Sequence, residues 1–106
     1  MDPLTKEEFV LFSDHWEAML NHISSMKNEE ACGLIGGKNR CSSMVFTITN
    51  ELHSPVRYRL DPQEQLNAFL EIESQGLDLI AIFHSHLNGP NRPSKTDITI
   101  ITCPAI

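Results

Sequence analysis

Leu79-Ile80-Ala81-Ile82-Phe83-His84-Ser85-His86 is an apolar run that ends in two histidines one residue apart. A run of this kind reads as a buried strand. Side chains alternate along a strand, so both imidazoles point to one side and can face one metal if the strand persists through His86. Residues 87–93 then carry one Gly and two Pro, which lets the chain turn back and deliver Asp97 from the segment Ser94-Lys95-Thr96-Asp97. Two imidazoles and one carboxylate form the ligand set of a catalytic zinc site, which uses three protein ligands and keeps a fourth position for water. His84, His86 and Asp97 are therefore the expected ligands of one zinc per chain. A lone His here would read as a polar strand end; two at spacing two, with Ser and Asp close downstream, favour a metal.

Working outward, Asp61-Pro62-Gln63-Glu64 reads as a helix start, with Asp as N-cap, Pro in the first turn and Glu at the third position. Leu66, Phe69, Leu70 and Ile72 continue the helical pattern, and Gly76 stops it. Val56–Leu60 alternates apolar and basic and fits a half-exposed strand. Arg57 and Arg59 would share one of its faces, solvated or meeting a carboxylate. Residues 44–49 (Met-Val-Phe-Thr-Ile-Thr) are rich in strand formers. Residues 31–36 read as a strand closed by a turn at Gly36-Gly37. Ser13 is the expected N-cap of an amphipathic helix over 14–27, whose inner face is Trp16, Met19, Leu20 and Ile23. Residues 9–12 open either a strand or a helix. The order β-α-β-β-β-α-β predicts an α/β fold, a mixed β-sheet flanked by helices, in a single domain over 1–106.

Fourteen acidic against eight basic side chains give a net charge of −6. With a pI near 5.2 and no Lys/Arg cluster, this argues against a nucleic-acid surface. No apolar run approaches the roughly 18 residues that span a bilayer, so no membrane partner is expected. The N-terminal residues carry acids where a signal peptide needs bases. Three Cys with no CxxC argue for a reducing, cytoplasmic setting. Cys32, Cys41 and Cys103 read as small buried hydrophobes, and no Cys–His pairing around Cys32 marks a thiol nucleophile. His15 and His22 read as helix residues outside the zinc set.

His84-x-His86-x7-Ser94-x2-Asp97, with Glu29-Glu30-Ala31-Cys32-Gly33-Leu34 upstream, resembles the signature of the JAMM (MPN+, JAB) metalloproteases. Ser54-Pro55-x-x-Tyr58, Asp61-Pro62 and the helix ending near Gly76 extend the resemblance to the short prokaryotic members, over roughly positions 8 to 101. The resemblance implies the cytidine-deaminase-like MPN/JAB fold and the role of general acid/base for Glu30. Ser94 is implied as a donor to the oxyanion or to the metal-bound water; the structural alternative, compatible with that role, is that it N-caps a following helix with Asp97 at the third position. Leu87 stands where the family has Pro. Members also run on past the Asp through a helix and a strand, whereas Ile106 follows Asp97 by nine residues, so a domain shortened after the metal-binding loop is expected.

The implied reaction is zinc-dependent hydrolysis of an amide or isopeptide bond at the C-terminus of a ubiquitin-like or sulfur-carrier protein with a Gly-Gly tail. The alternative is a non-catalytic interaction module, because family members without the ligand set serve as scaffolds. A sheet edge left open past Asp97 could also drive a homodimer.

Overall fold

The computed structural model describes residues 8–87 and 96–103, apart from the side chains of 96 and 97. Helix α1 spans Ser13–Ser25, strand β1 Cys32–Lys38, β2 Cys41–Ile48, helix α2 Pro62–Ser74, β3 Asp78–Leu87 and β4 Thr96–Thr102. The sheet runs in the order β2-β1-β3-β4, and every neighbouring pair is antiparallel. Among the described residues, its parallel component is a single bridge, Val10 to Cys41. That bridge is what the apolar stretch before α1 becomes: Val10 N donates to Arg40 O, and Val10 O accepts from Ser42 N, each at 2.8 Å.

The alternation of β1 divides the core. Met19 and Ile23 of α1 pack with Ala31, Ile35, Ala81 and Phe83 on one face. Ala68 of α2 packs with Cys32, Leu34, Ile48 and Leu60 on the other. The result is an α/β domain with one helix on each face of the sheet. Six of the seven residues of β1 are buried, as a strand covered on both sides requires. Gly33 is obligatory here, because a Cβ would collide with the Phe83 ring and the Phe46 carbonyl.

Helix α2 follows its sequence signals. Asp61 caps it, its Oδ2 accepting from Glu64 N at 3.0 Å; Pro62 opens it; and Gly76, at φ +68°, follows its end. Among the described residues, no helix is long and apolar enough to cross a membrane.

Four expectations are corrected. The cap of α1 is Phe12, not Ser13. The Phe12 N–H is held by Ser42 Oγ at 3.0 Å while its carbonyl accepts His15 N and Trp16 N, so the first turn is set one residue early. The β1–β2 turn lies at Asn39-Arg40 (φ 53° and 62°), not at Gly36-Gly37. Two positive φ values fit a primed two-residue hairpin turn, and the glycines sit instead at irregularities in the ladder. Residues 56–59 form no strand. Only Leu60 bridges, to Asn50, because the Asn50 side chain takes up the loop's backbone groups. Finally, Asp97 lies in a strand, not in the first turn of a helix. Six of the seven residues Thr96–Thr102 are β-branched, and these pack on a pleated surface at less entropic cost than in a helix.

Candidate metal centre

The start of β1 and the end of β3 lie side by side, with Cys32 opposite His84. Ala31 and Ser85 lock this junction: Ser85 N donates to Ala31 O, and Ala31 N donates to Ser85 Oγ, both at 2.9 Å. Glu30 precedes β1 on the same side as His84 and His86. One donor atom from each of Glu30, His84 and His86 lies within 4.8 Å of the others. Glu30 Oε2 is 3.6 Å from His86 Nδ1, and the two imidazoles meet edge to face at 4.5 Å. Glu30 and His84 are buried, while His86 opens to solvent. Such a cluster has one wet side and one dry side.

Two buried atoms in the cluster, Glu30 Oε2 and His84 Nδ1, have no hydrogen-bond partner among the described residues. Buried polar groups are almost always satisfied, and a site made for an ion is one standard reason for an exception. The donor chemistry, two imidazoles and a carboxylate, is that of zinc. Burial holds the His84 imidazole below its ordinary pKa, the neighbouring His86 adds to this, and the Glu30 carboxylate and the Ser85 backbone oppose it. A neutral imidazole is the form that binds metal.

Three segments build the surroundings. Thr99 on β4 lies opposite His84, and its hydroxyl meets His86 Nε2 at 2.9 Å. Tyr58 stacks on the His84 ring, with centroids 4.2 Å apart and planes 21° apart. Asn50 is fully buried and donates to Glu30 O at 3.0 Å and to Arg57 O at 2.9 Å, while its Oδ1 accepts Leu52 N and Arg59 N at 3.1 Å.

Of the five residues expected at the site, Glu30, His84 and His86 converge. The backbone register places Asp97 directly opposite His86, although its side chain is outside the described atoms; Ser94 lies outside the described residues.

A match to the family described as prokaryotic homologues of the JAB domain runs over residues 12–102. The chain belongs to the JAB family. This JAB domain is 35% identical over 89 residues to a desampylase of Pyrococcus furiosus, covering 84% of the chain and 64% of the relative. It is 33% identical to a CysO-cysteine peptidase of Mycobacterium bovis (90% and 66% covered). A probable TtuB-protein conjugate cleaving protease of Thermus thermophilus is 37% identical (73% and 52%). A Desulfitobacterium hafniense protein solved in solution superposes with a TM-score of 0.68 at 34% identity, over 74% of this JAB domain and 56% of that chain. The JAB domain thus spans between about half and two-thirds of the length of these relatives.

The remaining candidates separate from the centre. Cys32 donates its thiol to Ile48 O at 3.4 Å, and burial pushes its pKa up to about 12; a thiolate nucleophile is thereby disfavoured. Cys41 and Cys103 are only half-buried, short of the core positions expected for them, and all three cysteines are free. His15 hydrogen-bonds Ser42 Oγ at 2.6 Å. His22 is half-buried, its Nε2 has no hydrogen-bond partner among the described residues, and it is not one of the gathered donors. Arg59 does meet a carboxylate, Glu51, at 3.1 Å, but on an exposed surface where a pair is worth at most about 1 kcal/mol.

Tyr58, Thr99 and Asn50 were missed as site residues. Tyr58 stood in the sequence only as part of a family segment. Nothing local distinguishes the other two, because their roles depend on strand register and on a buried loop.

Proposed function

We propose that this chain is a zinc-dependent hydrolase, with zinc held by His84, His86 and Asp97, one per chain, and Glu30 as general acid/base. The substrate class is an amide or isopeptide bond at the C-terminus of a ubiquitin-like or sulfur-carrier protein with a Gly-Gly tail. The observation that carries the reading is the gathering of Glu30 with two imidazoles around unpartnered buried atoms. The names of the relatives, which refer to CysO and to TtuB conjugates, support the substrate class.

When bound, zinc supplies Lewis acidity, enough to bring the pKa of a water to about 7. Glu30 takes the proton from the attacking water and returns it to the departing amine, a service worth about 10²–10⁴ in rate. Its burial keeps the carboxylate from being fully solvated, and the hydrogen bond from Asn50 to its carbonyl holds its backbone. Ser94 donates to the oxyanion, a contribution of about 10²–10³. The outer strands β2 and β4 offer edges on which an extended tail, or a second copy of the chain, can add as a strand. The free cysteines fit a reducing, cytoplasmic setting.

Because Glu30 lies among the donors, a second reading makes it a zinc ligand. The first test is zinc content per chain in protein purified without added metal or chelator. The wild type should carry close to one equivalent and His86→Ala none. A well-folded wild type that takes up no zinc even when it is supplied overturns the enzyme reading in favour of an interaction module.

A further inference from the structure

We propose that Tyr58 is a positioning residue for the metal site, fixing the plane in which His84 presents its ring nitrogens. This rests on the zinc reading above. The terminal torsion of a histidine is broad, so its ring plane needs an external constraint. In most metal sites a hydrogen bond to the second ring nitrogen provides it. Here, among the described residues, His84 Nδ1 has no hydrogen-bond partner, and the Ser85 backbone is the smallest of the influences on the imidazole. The constraint comes from the ring surfaces: Tyr58 lies nearly parallel at 4.2 Å, and His86 closes in edge-on at 4.5 Å and 73°.

A ring can orient another only if it is itself held. Tyr58 packs against the buried cluster of Cys32, Leu34, Ile48, Leu60 and Ala68. Both of its chain neighbours are tied to one buried side chain, since Asn50 Nδ2 donates to Arg57 O and Asn50 Oδ1 accepts Arg59 N. The same amide donates to Glu30 O. Asn50 thus references the tyrosine and the Glu30 backbone to one point. What acts on His84 is the face of the aromatic ring and not the phenol hydroxyl, so phenylalanine should replace tyrosine and an aliphatic residue should not.

The test uses the full chain and zinc alone as the probe. Zinc affinity is measured by chelator competition for wild type, Tyr58→Phe, Tyr58→Leu and the exposed-loop control Val56→Ala, with urea unfolding alongside. Tyr58→Phe and Val56→Ala should stay within about twofold of wild type. Tyr58→Leu should bind about 10–100-fold more weakly, the usual cost of losing a residue that orients a ligand. In metal-free protein, the His84 ring protons should lie upfield in wild type and Tyr58→Phe, and revert in Tyr58→Leu or, if that variant does not fold, in Tyr58→Met. Leucine binding zinc as wild type does, phenylalanine falling with leucine, or unchanged His84 shifts in the aliphatic variant would each overturn the proposal. Failure of wild type itself to bind zinc would instead count against the zinc reading, and the ring shifts would still test the stacking.

Discussion

A carboxylate packed against two imidazoles is costly unless something positive shares the space, and Glu30 decides what the site can be. If it moves protons, Glu30→Gln should keep zinc near one equivalent and lower hydrolysis of a carrier-protein fusion by at least about 10²-fold; loss of zinc together with activity would make Glu30 a ligand. At this scale much of the site was legible. His84 and His86 share a side because strand alternation puts them there, and Glu30 meets them because β1 pairs with β3. Tyr58 was not legible as a site residue. Stacking on His84 depends on how the 51–60 loop folds over the β1–β3 junction, and no residue spacing encodes that.

Among the elements, the loop between β2 and α2 departs furthest from its sequence pattern. Alternation over Val56–Leu60 imitates a strand, but a single buried amide at Asn50 satisfies backbone groups that a strand would have offered to a neighbour. Asn50→Ala would orphan the Glu30 and Arg57 carbonyls and the Leu52 and Arg59 amides. A loss of about 2–4 kcal/mol in urea unfolding is expected, together with weakened zinc binding; a stability within about 0.5 kcal/mol of wild type would show that the loop is held by other means. Helix α2, by contrast, was readable from Asp61-Pro62 to Gly76, since cap, first-turn proline and terminal glycine are all local signals. The strand at Thr96–Thr102 was obscured by Ser-x-x-Asp, a helix-start pattern overridden by the β-branched residues that follow.

For the molecule as a whole, His22 and His84 couple folding to acidity. Burial lowers both pKa values below 6.5. Between the folded values and 6.5 the unfolded chain binds more protons, so stability rises with pH in that window and levels off above it. Metal-free protein should therefore show a urea midpoint that is flat above about pH 7 and falls as pH drops through 6.5. A midpoint unchanged down to pH 5 would contradict those shifts. The fold class could be read from the order of elements because each helix carries one apolar stripe and β1 holds no charged residue before its closing Lys38; the strand count could not, since pairing partners are set across the whole chain. That dependence has a kinetic side. Cys32 and His84 face each other across fifty-two positions, whereas β1 and β2 join through a two-residue turn. Non-local pairings carry a loop-closure entropy that tight hairpins avoid. On a ribosome, the hairpin has all its residues long before His84 is synthesised. The donor cluster exists only once β3 has docked, so a nascent or partly folded chain keeps its donors apart, and the centre itself comes into being with the completion of folding.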